Sequence, residues 1–178
     1  MMSCLGRFVT VKVPQLDDDG ATNISTYLHK LVSAVLTRIR DAKRNNSERP
    51  IILAGWGVGA AINCQVAAME TVTACICLGF PMFTMEGIRG DADDPILDLK
   101  HPVLFVVGQL ATLCRPDDVE DMRERMKTDT GLVVVGGADD QLRVSKHKKK
   151  AEGLTQSMVD RCIMVRPIFL WVVILRGI

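Results

Sequence analysis

Apolar positions along this chain follow two rhythms: alternating or unbroken runs, and steps of three and four. Phe8-Val9-Thr10-Val11-Lys12-Val13 alternates and predicts a strand. Pro14 to Gly20 reads as an acidic loop. Asn23 or Ser25 can cap a helix that runs to about Arg44, with Leu28, Leu31, Val32, Val35, Leu36 and Ile39 recurring along one side. Arg49-Pro50 breaks the chain before a short strand, Ile51–Ala54. A small-residue helix over 60–69 follows. Ala74-Cys75-Ile76-Cys77-Leu78 is apolar throughout, as in a strand buried on both faces. A loop from Pro81 to Lys100 precedes the strand Val103–Val107, which Gly108 closes. Pro116-Asp117-Asp118 opens another helix, with Val119, Met122 and Met126 on one side. Leu132–Val135 is the last strong strand, and a basic stretch leads to a final helix from about Thr155.

Strands alternating with helices predict an α/β fold: a mostly parallel sheet with helices on both faces. Ligands in such sheets bind beyond the carboxyl ends of the strands. One of those ends carries a pattern of its own. Gly55-Trp56-Gly57-Val58-Gly59 joins a strand to a helix in the layout G-x-S-x-G, the nucleophile elbow of α/β-hydrolases. The residue at its centre is Gly57, which tolerates a strained turn but carries no attacking atom.

A hydrolase of this layout needs nucleophile, acid and histidine in that chain order. The acid segment maps to Gly108-Gln109-Leu110-Ala111, with Ala111 where the carboxylate belongs. The histidine segment maps to Gly137-Ala138-Asp139-Asp140, with Asp140 where the histidine belongs. All three positions, Gly57, Ala111 and Asp140, therefore lack the expected group. Val58 offers one backbone N–H for an oxyanion, but the earlier strand whose loop supplies the second is not found. The sheet is thus expected to lack its first strands.

Composition narrows the alternatives. The chain has 178 residues, enough for one domain with a full core, and 48% hydrophobic with 24% charged residues is a globular profile. A net charge of +1 gives no strong field towards nucleic acid or membrane. Six cysteines (Cys4, Cys64, Cys75, Cys77, Cys114, Cys162) form no C-x-x-C pair and lie mostly in apolar runs, as reduced intracellular thiols do. No signal peptide is visible. The run Ile168–Leu175 is too short for a membrane span of about 20 residues.

A Cys114–His147 pair and an Asp139–Asp140 carboxylate pair are conceivable catalytic groups, although the two aspartates fit a turn cap or a solvated loop better. Asp91, Asp93 and Asp94 lack the spacing of a calcium loop and read as solvated. Gly55-x-Gly57-x-x-Ala60 fits a dinucleotide fingerprint, but no acid stands at the end of the next strand and Glu70 comes too early. Lys146-His147-Lys148-Lys149-Lys150 fits a nuclear-localisation or polyanion patch as well as an ordinary helix start. Trp56 reads as core filler. No cofactor and no metal site is expected.

Gly55-Trp56, Cys77-Leu78-Gly79-Phe80-Pro81, Gly87–Pro95, Val133–Asp140 and Lys148–Cys162 resemble subunit 3 of the NSL histone acetyltransferase complex. The likeness extends well from Ile51 to Cys162. It implies an α/β-hydrolase-like domain without the elbow serine, here residues 1–163 in a form truncated at its amino end, followed by a divergent apolar tail over 164–178. It further implies a nuclear, non-catalytic scaffold. The partners would be other subunits of a complex that acetylates histones, with no direct binding of DNA or membrane. The readings set against it are a divergent hydrolase of esters or peptides and a dinucleotide-binding domain.

Overall fold

A computed structural model of the protein describes residues 9–11, 23–45, 49–84 and 87–165. The chain divides into two compact units, Met1–Arg49 and Pro50–Ile178. In the first, α1 runs over Ile24–Asn45 and buries Leu31, Val32 and Ile39, three of the expected apolar positions. Asn23 caps it, its Oδ1 accepting from the Ser25 N–H at 3.1 Å. Lys43 and Arg44 stand in the last turn, where cations suit the negative helix end. Of the expected strand Phe8–Val13, Val9–Val11 carry no strand, and the rest lies outside the described residues, as does the segment 166–178 of the apolar tail.

The second unit contains β1 (Ile52–Trp56), α2 (Val58–Met69), β2 (Ala74–Leu78), β3 (Phe83–Thr84), β4 (Gly87–Ile88), a short 3₁₀ helix (Pro95–Asp98), β5 (Val103–Gly108), α3 (Pro116–Glu124), β6 (Thr130–Val135), α4 (Lys146–Ala151) and α5 (Gln156–Val165). Strands β1, β2, β5 and β6 lie side by side in that order, every neighbouring pair parallel. The hairpin β3–β4 stands apart as a two-stranded sheet inside what the sequence reads as loop.

Period-two alternation assigns the two faces. Cys75 and Cys77 face α2, with their thiols 3.9 Å from the Asn63 and Ala60 carbonyl oxygens. The intervening Ile76, with Leu78, Leu104 and Val106, packs on the opposite face with Val159 and Ile163 of α5 and with Leu142 and Val144. Helices therefore cover both faces, as expected of a parallel sheet. Central strands β2 and β5 are buried along their full lengths. Phe80 and Phe105 meet edge to face at 5.5 Å beside them.

Candidate functional site at the carboxyl ends of the strands

β1 runs two residues further than its apolar run suggested and ends at Trp56, and α2 begins at Val58. Gly57 is the whole connection. Its φ of 54° and ψ of −123° fall where side chains are strained, and a Cβ there would meet nothing within 4 Å. The turn is thus a sharp strand-to-helix elbow that aims residue 57 into open space. Gly55 does the opposite job. A Cβ on it would drive into the carbonyl of Gly59 and lie 2.6 Å from Asn63 Nδ2, so only glycine lets α2 fold back this closely on β1. The Gly57 carbonyl accepts from the Ala60 N–H at 2.9 Å, and the Val58 and Gly59 N–H groups open the helix, where no carbonyl of the helix itself reaches them.

The other two triad-order positions lie at the same end of the sheet. Gly57 N–H donates to the Leu78 carbonyl at 2.9 Å, which ties the elbow to the end of β2. A Cβ on the next residue, Gly79, would sit 2.6 Å from the Asp140 carbonyl oxygen and 3.8 Å from Trp56 Nε1. Asp140 in turn reaches the segment after β5. Its carboxylate accepts from the Thr112 N–H at 2.9 Å, the Thr112 hydroxyl at 3.1 Å and the Leu113 N–H at 2.7 Å. Partial burial pushes the Asp140 carboxyl up, but the donors of Thr112, Leu113 and Cys114 outweigh it and hold it below the ordinary aspartate value. Ala111, one residue from this clamp, is buried.

Several expectations change here. Asp140 is no solvated cap: it staples the loop after β5 to the loop after β6. Asp139 does cap its own turn, accepting from the Gln141 and Arg143 N–H groups at 3.0 and 2.8 Å. Asp94 is not solvated either. It accepts from the Gly90 and Ile96 N–H groups and pairs with the Arg89 guanidinium at 2.8 Å, so local hydrogen bonding consumes its carboxylate. Asp91 and Asp93 remain exposed. Among the described residues, no group of three histidine, cysteine, aspartate or glutamate side chains is placed to hold a metal. Trp56, expected in the core, is 50% exposed at the carboxyl end of β1.

Thiol chemistry fares poorly. Cys114 is buried, and burial, with the charges of Asp140 and Asp118, pushes its thiol up to about 12. A group so seldom ionised is a weak nucleophile. His147 is exposed on α4, and no hydrogen bond joins it to Cys114. Cys64 and Cys77 lie with sulfurs 3.5 Å apart beneath α2. That hydrogen bond and burial raise the Cys77 thiol. The free cysteines among the described residues are these three with Cys75 and Cys162, and Cys162 is exposed.

The basic run forms α4. Ser145 caps it, its Oγ accepting from the Lys148 N–H. Lys148 folds against Gly137, and Lys149 reaches Gln156 at 3.1 Å. Two of the four lysines thus serve packing. The segment after β2 that a dinucleotide site would need reads Gly79-Phe80-Pro81, with Phe80 fully buried and no carboxylate.

A model of the alpha/beta hydrolase domain matches residues 13–165. The chain belongs to that family. Solved structures agree on the fold: an alpha-beta serine hydrolase homologue from Coxiella burnetii superposes with a TM-score of 0.56 at 22% identity, covering 83% of this chain and 61% of that one. Est1E from Butyrivibrio proteoclasticus gives 0.52 at 18%, covering 76% and 71%. Among curated proteins, Protein sumv-2 of Caenorhabditis elegans is 29% identical over 150 residues, 83% of this chain. The chain spans 13% of that relative's length.

Neither Thr112 nor Leu113 is marked in the sequence as a partner of Asp140. They stand 28 and 27 residues away, and only the adjacency of β5 and β6 brings them together.

Proposed function

We propose that this domain is a pseudohydrolase: it keeps the hydrolase frame and serves as a non-catalytic scaffold in a nuclear histone acetyltransferase complex. The observation that carries the reading is the elbow, whose strained central position is occupied by a residue without a side chain. Two further features support it. Ala111 offers no carboxylate to orient a base, and the Asp140 carboxylate is spent on the Thr112 and Leu113 amides and the Thr112 hydroxyl. A triad stripped of its members retains only what binding and oxyanion contacts supply. The assembly part of the proposal rests on the resemblance to subunit 3 of the NSL complex and on the similarity to Protein sumv-2. Acetyl transfer itself would belong to another subunit.

Two measurements test the two halves separately. Incubation with a fluorophosphonate probe and a panel of short-chain esters should give neither adduct nor turnover. Turnover lost in Cys114→Ala or Asp140→Ala would end the non-catalytic reading. Tagged chain should recover acetyltransferase-complex subunits from nuclear extract, and their absence from a well-folded bait would end the assembly reading.

A further inference from the structure

The basic run at α4 has no part in the elbow or the staple. Five cationic side chains stand between Arg143 and Glu152, against one carboxylate, in a chain whose net charge is +1. The fold sets these charges in place. Ser145 caps the start of α4. Gly153 ends it at a φ of 64°, with the Leu154 N–H donating to the Lys149 carbonyl at 2.8 Å. The stem of Lys148 lies across Gly137, where a Cβ would stand 2.6 Å from the lysine Cδ, so glycine makes the room. The Lys149 ammonium donates to Gln156 Oε1, and Gln156 Nε2 donates in turn to the Leu142 carbonyl and the Asp160 carboxylate.

Three further cations face solvent. Arg143, Lys146 and Lys150 are exposed, and among the described residues no carboxylate pairs with them. The acids around them are engaged elsewhere. Asp139 accepts from the Gln141 and Arg143 N–H groups, Asp140 from Thr112 and Leu113, and Asp160 from Gln156. Glu152 stands 3.8 Å from Lys148. We infer, independently of the function proposed above, that this surface docks an acidic peptide segment. Its carboxylates would meet Arg143, Lys146 and Lys150, while Lys148 and Lys149 add a fixed positive field.

Charge selects an anion, and size and composition select its class. Lys146 and Lys150 are four apart on one side of α4, about 5–6 Å from each other at Cβ. Alternate side chains of an extended peptide are about 7 Å apart, which matches that spacing. Duplex nucleic acid is held through roughly 6–10 phosphate contacts, more than three exposed cations supply. Single strands add stacking on aromatic rings. The sequence has no Phe, Tyr or Trp between Phe105 and Phe169, the stretch that holds β6, α4 and α5. A peptide needs neither.

Fluorescence anisotropy of a labelled oligoglutamate, titrated with the full chain, tests the assignment. At about 50 mM salt the binding should saturate with a Kd of roughly 10–100 µM, and it should weaken severalfold at about 200 mM, since exposed ion pairs are screened. Lys146→Gln with Lys150→Gln should raise Kd at least about tenfold and leave the thermal transition unchanged, because both side chains are exposed. Arg143→Gln should give a smaller rise in the same direction, and it decides the matter should the double variant unfold. Arg38→Gln with Lys100→Gln removes as much charge from exposed positions elsewhere in the sequence and should leave Kd within about twofold. Absence of saturable binding up to about 1 mM, equal weakening by both double variants, or tighter binding of DNA of equal charge through Lys146 and Lys150 would each overturn the inference.

Discussion

The elbow at Gly57 and the staple at Asp140 occupy one end of one sheet, yet opposite means hold them. Backbone alone makes the elbow: a positive φ at Gly57, close approach at Gly55, and N–H donation to Leu78. A side chain makes the staple, one carboxylate gathering two N–H groups and a hydroxyl from a loop 27 and 28 residues away. Shape survives at the first place without any functional group. At the second, a functional group has become part of the framework. The turn at Gly57 thus needs backbone alone, whereas the loops after β5 and β6 depend on one carboxylate.

Substitutions can break the contrast in order of severity. Gly55→Val should be the most damaging, because the added carbons meet the Gly59 carbonyl and Asn63 amide rather than a movable chain end. A loss above about 3 kcal/mol is expected, seen as collapse of the thermal transition. Should Gly55→Val melt like the parent, the tight strand–helix approach is not what fixes the elbow.

Asp140→Ala should follow, at roughly 2 kcal/mol, since it leaves the Thr112 and Leu113 amides without their charged acceptor. The sign of its pH dependence is fixed. The folded carboxyl titrates below its ordinary value, so its stabilisation is complete above about pH 4 and fades as pH falls through the folded value. Urea titrations between pH 3 and pH 6, about 1–2 units around aspartate's usual range, should show Asp140→Asn with a flatter acid slope than the parent. Equal slopes would mean that the staple carries no charge.

Gly57→Ser tests the elbow from the other side. Space is open for the side chain, but positive φ should cost about 1–2 kcal/mol. The folded variant should still fail to turn over esters, because no histidine stands where Asp140 does. Measurable hydrolysis by Gly57→Ser alone would reveal a base other than a histidine at position 140. Trp56→Ala should matter least, within about 0.5 kcal/mol by chemical denaturation, given its 50% exposure.

Much of the frame was readable from residue order. The apolar runs at 74–78 and 103–107 had to be buried strands, since each is too short for a helix and bounded by breakers. The elbow was readable too, because glycine spacing is a backbone instruction that acts locally. The hairpin β3–β4 was not, as two-residue strands leave no periodicity. Nor was the exposure of Trp56: it stands at the carboxyl end of β1, and no local pattern encodes what packs over that end. Asp140 shows the limit most clearly. Its place in the chain order of a hydrolase triad was visible in Gly137-Ala138-Asp139-Asp140, but its partners were not, because a carboxylate selects donors by distance in space.

The residues by themselves settled the four strands of the main sheet, the longer helices and the turn that brings Gly57 forward, because these obey short-range sterics and the burial of apolar side chains. The tertiary structure decided which loops share the end of the sheet and that Asp140 spends its charge on Thr112 and Leu113. Those depend on strand order and register, which arise when distant segments pack together.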